Sequence, residues 1–175
     1  DYFYHIYNRG VDKRNIFQNQ SDILRFLESI IEFNQIEPVG SLFLNSFHKN
    51  DKHKNKKLIE IICYCLNPNH YHLVVKQVGE NGISEFMKRL SGGYTQYFNT
   101  KYKRSGSLFQ GRFKSSHIDS NEYLLHVSAY VNLNNRFKGE PLSLSKSSCS
   151  EYLGEENGIC NADIVLEQFR NIKVY

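Results

Sequence analysis

Residues 68–75 read PNHYHLVV, and their two histidines have a spacing that can do chemistry. Side chains on a strand alternate between faces, and each residue advances ~3.3 Å. His70 and His72 therefore project from one face with Cα atoms ~6.6 Å apart, close enough for two imidazoles to grip one metal ion. Tyr71, Leu73 and Val75 turn to the other face. Two imidazoles do not complete a metal site, so a third ligand is required. Residues 122–135, EYLLHVSAYVNLNN, offer one on a helix: Tyr123, His126, Tyr130 and Asn134 follow i, i+3, i+7, i+11. One helical face then carries two phenols, an imidazole and an amide where a core helix would be apolar. The competing reading packs the rings of Tyr123 and Tyr130 in the core, with their hydroxyls at its margin.

A second chemical signal lies at residues 101–118, KYKRSGSLFQGRFKSSHI, which hold five Lys or Arg and no acid, interleaved with Tyr102, Phe109 and Phe113. Cations alternating with aromatic rings suit a surface that contacts a phosphate backbone and stacks on bases. Arg104, Arg112 and Lys114 are the expected backbone contacts, and Tyr102 and Phe109 the expected stacking partners. The other histidines, His5, His117 and His126, are expected to be structural or surface residues.

The net charge of +4 supports a polyanionic partner, because it is unevenly spread. Residues 140–175 carry six acids against three bases, which leaves the rest of the chain at +7. Twelve Tyr and twelve Phe without a single Trp supply the rings. Residues 48–57, HKNDKHKNKK, are too polar to pack and read as an exposed loop whose lysines can touch phosphates.

Strands and helices must position these groups. Tyr2 to Tyr7 reads as a strand ended by Asn8-Arg9-Gly10. From Ser21, read as the N-cap, the apolar residues Ile23, Phe26, Leu27, Ile30 and Ile31 have helical spacing. Leu58 to Leu66 is apolar on both faces, as a central strand requires, and the turn Asn67-Pro68-Asn69 leads into a strand over His70–Gln77. A second helix carries Ile83, Phe86, Met87, Leu90, Tyr94, Tyr97 and Phe98. It is interrupted by Gly92-Gly93, whose cost of roughly 1 kcal/mol each implies close approach of another backbone or a ligand. Asp119 or Ser120 caps a third helix. The order predicts an α+β fold: a ferredoxin-like or RRM-like antiparallel sheet with helices packed mainly on one face.

The length of 175 residues suits one domain: a catalytic body over 1–139 and a C-terminal extension of it over 140–175. Cys63 and Cys65 share a strand face and suit small buried hydrophobes better than a disulfide. No apolar run approaches the ~18 residues of a membrane span, so no membrane partner and a cytoplasmic location are expected.

Three motifs in sequence order resemble the single-tyrosine HUH transposases: the His-x-His strand after an Asn-Pro turn, the segment FMKRLSGGYTQYFNTKYKRSGSLFQGRFKS, and YLLHVSAYVNLN with a tyrosine four residues before an asparagine. Within them the REP-associated tyrosine transposase branch is the one resembled most, over most of the chain. Two departures stand out: Asn135 follows Asn134 where the family usually has proline, and Phe109 stands where its relatives often place Trp. The resemblance implies an enzyme that cleaves and rejoins hairpin-bearing single-stranded DNA with Mg²⁺ or Mn²⁺, as a monomer or a homodimer. His70, His72 and Asn134 would be the metal ligands and Tyr130 the nucleophile, with Tyr123 its competitor. Rolling-circle replication initiators of the wider HUH class and a non-catalytic hairpin-binding module are the rival readings.

Overall fold

The computed structural model describes residues 2–37, 56–137 and 142–169. Most of the lysine-rich segment 48–57 and the 139/140 boundary lie outside them. Strands β1 (Phe3–Arg9), β2 (Ile59–Asn67), β3 (His70–Gln77), β4 (Lys114–Ile118) and β5 (Lys146–Ser147) form one antiparallel sheet in the order β4-β1-β3-β2-β5. Helix α1 (Gln20–Phe33) follows β1, α2 (Gly82–Lys101) follows β3 and α3 (Asn121–Phe137) follows β4. Two short helices, α4 (Cys149–Tyr152) and α5 (Asp163–Leu166), close the described chain. The fold is thus the expected α+β arrangement around an antiparallel sheet.

Two of the three long helices share one face of the sheet. There Ile23, Phe26 and Ile30 of α1 and Phe86, Leu90, Tyr94 and Phe98 of α2 are buried against Ile6, Tyr64, Tyr71, Leu73 and Val75. Burial of each such large side chain is worth ~1.5–3 kcal/mol, and this layer is the main core. The opposite face is covered by α3, through Leu124, Val127 and Val131, and by Tyr152 and Val165 of the short helices.

Several local features differ from the sequence expectation. Asn19, not Ser21, caps α1, because its side-chain oxygen reaches the Asp22 N–H while Ser21 donates to that same oxygen. Ile31 is 56 % exposed, and Phe33 takes the place in the core that its spacing suggested. Helix α2 runs unbroken through both glycines. A Cβ on Gly93 would lie 2.6 Å from the Phe33 ring, so the glycine admits an aromatic side chain rather than a backbone or a ligand. Ser120 caps α3 by accepting from the Tyr123 N–H.

A bulge between Ile61 and Cys63 decides what β2 presents to each face. One extra residue reverses the alternation, so Ile61 packs toward α1 and α2 while Cys63 and Cys65 pack toward α3. Both cysteines are buried, as expected. Among the described residues no helix is long and apolar enough to cross a membrane.

Candidate active site

Antiparallel pairing puts directly opposed residues on the same face. The ladder pairs Tyr7 with His72, Arg9 with His70, Cys65 with His72 and Asn67 with His70. On β4, Ser116 pairs with His5 and Lys114 with Tyr7. One sheet face therefore gathers His5, Tyr7, Arg9, Asn67, His70, His72 and Lys114. Helix α3 covers the apolar half of that face, where Phe3, Val74 and Ile118 lie. The polar half is left open beside the helix.

Helix α3 brings Tyr130 to the histidines. The Tyr130 ring stands edge-on to His72 with centroids 5.9 Å apart, and 6.5 Å from His5. It is 40 % exposed, so it packs over the imidazoles without being sealed by them. Tyr123 lies seven residues earlier, ~10.5 Å along the helix axis, and makes no ring contact with a histidine among the described residues. The two tyrosines are therefore not core rings, and only Tyr130 stands over the pair. His126 and His117 are exposed, as expected.

Hydrogen bonds assign the His70 tautomer. Its Nδ1–H donates to Asn69 Oδ1 at 2.6 Å, and its Nε2 accepts from Asn67 Nδ2 at 3.1 Å. The same Asn67 amino group donates to Asn134 Oδ1 at 2.9 Å. Two lone-pair atoms, one from β3 and one from α3, thus converge on a single N–H₂ group. Asn134 is 1 % exposed, and its Nδ2 has no hydrogen-bond partner among the described residues. A buried amide left half unsatisfied marks a position kept for something other than packing.

His72 Nδ1 lies 2.9 Å from His5 Nε2, with the rings nearly parallel and 5.1 Å apart. Burial lowers the His5 pKa to about 4, so at neutral pH His5 is uncharged. When His72 donates from Nδ1 to His5, its Nε2 carries the lone pair, which is the form a metal ligand needs.

The side chains present suit a divalent cation in type: two imidazole nitrogens and the Asn134 amide oxygen, which accepts here from Asn67. Among the described residues no three His, Cys, Asp or Glu side chains gather into a metal site. An uncharged N,N,O set is softer than Mg²⁺ prefers and suits Mn²⁺ or another transition ion better.

Sequence reasoning missed Asn67 and undervalued His5. The first was assigned to the turn, yet the turn is only Pro68-Asn69 and Asn67 closes the ladder opposite His70. The second was readable from the alternation of Phe3, His5, Tyr7 and Arg9 on β1, but its partner strand was not.

The proposed DNA contacts divide. Lys114 and Arg112 are exposed, and Lys114 lines a cavity of about 570 Å³ beside His70 and His72. The Arg104 guanidinium donates to Asn99 Oδ1 and to the Ser107 carbonyl. Tyr102 donates to Asp22 Oδ2 at 2.7 Å and packs on Phe98. Phe109 is a correction: it is 4 % exposed, with its ring against Tyr71 and Tyr94, and cannot stack on a base. A ring of that size between strand and helix is held by the core.

The family model described as "Transposase IS200 like" matches residues 1–134. The chain belongs to the IS200-like transposase family. Among solved structures, the REP-associated tyrosine transposase bound to a REP hairpin is similar at 15 % identity and a TM-score of 0.46, over 79 % of this chain and 68 % of that one. No curated protein matches this IS200-like transposase.

Proposed function

We propose that this transposase cleaves and rejoins hairpin-bearing single-stranded DNA through a covalent link to Tyr130. The observation that carries the reading is the Tyr130 ring 5.9 Å from His72, over the sheet face that bears His70, with Asn134 one turn further along the same helix. Family membership supports the reaction class, and the resemblance of the three sequence motifs supports a hairpin-bearing substrate.

In the reaction, Tyr130 Oη forms a bond to the scissile phosphorus and the P–O3′ bond breaks. The phenolic proton is balanced by the one the leaving 3′-oxygen takes up. The products are a 5′-phosphotyrosine and a free 3′-hydroxyl, and attack of a second 3′-hydroxyl on the same phosphorus rejoins the strands and releases Tyr130. The phosphodiester bond count is conserved, so no external energy source is required. A divalent cation held by His70, His72 and Asn134 would supply positive charge to the phosphate oxygens as charge develops there. His5 orients His72, Asn69 orients His70, and α3 holds Tyr130 over the pair. Lys114 lines the open side and Arg112 is exposed two residues before it, and both can neutralise the incoming strand.

The test uses 5′- and 3′-labelled hairpin oligonucleotides with Mn²⁺ or EDTA, on denaturing gels, beside Tyr130→Phe and Tyr123→Phe. The expected result is an SDS-resistant adduct that carries the 3′-side label, requires the metal and disappears only with Tyr130→Phe. Loss with Tyr123→Phe instead would move the nucleophile. DNA binding without any adduct would favour the non-catalytic module.

A further inference from the structure

The Asn67 amide stands where two of the expected ligand atoms converge. Its Nδ2 lies 3.1 Å from His70 Nε2 and 2.9 Å from Asn134 Oδ1, so one N–H₂ group satisfies both atoms. A cation held by His70 and Asn134 needs those same two lone pairs. The N–H₂ group cannot keep its place beside it, because its hydrogens carry partial positive charge and face the same point. Metal binding therefore requires the Asn67 side chain either to withdraw or to turn.

Withdrawal is blocked. Asn67 is fully buried, and its backbone closes the β2–β3 ladder opposite His70. The next two residues are pinned as well: the Pro68 carbonyl accepts from the Ile16 and Phe17 N–H groups at 2.7 and 3.0 Å, and the Asn69 carbonyl from the Gly10 N–H at 2.8 Å. Turning is open to it. The last torsion of an asparagine is roughly two-fold, and its oxygen and nitrogen ends are of nearly equal size, so a half-turn exchanges them without a change of volume. The partner on the far side accommodates either end. Asn67 Oδ1 accepts from the Cys65 thiol at 3.8 Å, and a thiol sulfur is a weak acceptor as well as a weak donor. After the half-turn, Nδ2 donates to Cys65 Sγ and Oδ1 takes its place between His70 and Asn134.

We propose that Asn67 is a fourth ligand of the divalent cation: Nδ2 holds His70 and Asn134 together before the ion binds, and the amide turns over to ligate it through Oδ1. The proposal rests on the cation site argued above. Each orientation is the one that electrostatics demands. Without the ion, an oxygen at this place would face two other lone pairs; with it, an N–H₂ group would face a positive charge. The amide is a dipole that can offer whichever end is required. A second oxygen also makes the donor set N,N,O,O, nearer to what Mn²⁺ and Mg²⁺ prefer than the three ligands alone.

The test measures Mn²⁺ affinity of the full chain without DNA, at neutral pH, by electron paramagnetic resonance. Wild type is compared with His70→Ala, Asn67→Leu and Asn67→Asp, and circular dichroism in EDTA checks that each variant folds. Loss of binding in His70→Ala locates the measured ion at this site. Asn67→Leu keeps the approximate volume and removes both ends of the amide, so binding should weaken about tenfold or more, at least the contribution of a group that merely orients a ligand. Asn67→Asp supplies an oxygen with added charge and no N–H₂, and should tighten binding about tenfold or more. Unchanged or tighter binding by Asn67→Leu would mean that the amide only obstructs the ion or takes no part, and would overturn the fourth ligand. Weakening by both variants would overturn it too, since a packing role is disturbed by either substitution whereas a ligand is restored by the carboxylate. If Asn67→Leu does not fold, Asn67→Asp decides alone, and equal or weaker binding overturns the proposal. A wild type that binds Mn²⁺ through His70 alongside either overturning pattern loses the fourth ligand alone. A wild type that binds no Mn²⁺, or binds it equally well without His70, removes the cation site and the fourth ligand with it.

Discussion

His5 holds His72 as Asn69 holds His70, and each bond falls on Nδ1 of its histidine, which leaves Nε2 of both rings to carry the lone pair. Groups that orient a metal-bound imidazole typically contribute 10–100-fold in metal affinity. His5→Phe keeps the ring and removes the bond, so Mn²⁺ affinity should fall by about that factor, as read by electron paramagnetic resonance of bound Mn²⁺. His5→Gln, whose carbonyl can accept from His72 Nδ1–H, should recover most of the loss. A packing role alone would lower the melting temperature of both variants and leave the affinity of the folded protein unchanged. Asn67 was invisible as a site residue because a turn shortened by one residue moved it into the ladder.

The two helices on the main core face are joined at their ends by a buried carboxylate. Asp22 is fully buried and accepts from Lys101 Nζ at 2.6 Å, the Tyr97 hydroxyl at 3.0 Å, the Tyr102 hydroxyl at 2.7 Å and the Gln18 N–H at 2.8 Å. Burial by itself would raise its pKa, but these donors, Lys101 foremost, hold it below the ordinary 3.8. A depressed folded pKa contributes stability that is full above the unfolded value and is lost as pH falls through the folded one. Asp22→Asn should therefore cost about 2–3 kcal/mol at neutral pH, below the ~3–5 of a fully buried pair because Lys101 reaches solvent. The gap between variant and wild type in urea melts should narrow as pH drops below about 4. Within α2 the two glycines should respond oppositely. Gly92→Ala meets open space and should stabilise by about 1 kcal/mol, while Gly93→Ala meets the Phe33 ring and should destabilise by about 1–3 kcal/mol in calorimetry. The periodicity of α2 was legible in sequence. The reason for its glycines was not, because Phe33 is sixty residues away.

For the whole molecule, the last described segment completes the second core rather than hanging from it. Ser148 Oγ accepts from the Tyr64 N–H at 2.9 Å and donates to Asn132 Oδ1 at 2.6 Å, tying β2 to the tyrosine helix. Tyr152 donates to the Ile62 carbonyl, and Tyr64 donates to Glu151. A chain ending at residue 139 would expose the surfaces that Tyr152 and Val165 bury and leave the Tyr64 N–H without this acceptor. It should lose several kcal/mol and melt without a cooperative transition by circular dichroism, with hydrogen exchange in α3 rising first. A cooperative melt close to that of the full chain would make residues beyond 139 dispensable to the body.

The order of elements, the face on which His70 and His72 lie, and the helical spacing of Tyr130 and Asn134 were determined by the sequence alone, because strand and helix periods are local properties of the backbone. The choice between Tyr123 and Tyr130 as neighbour of the histidines, the entry of His5 and Asn67, and the retirement of Phe109 into the core were decided only in three dimensions. Each depends on the register between strands or on the docking height of a helix over the sheet. Those are set by packing among residues far apart in the chain, where local periodicity carries no information.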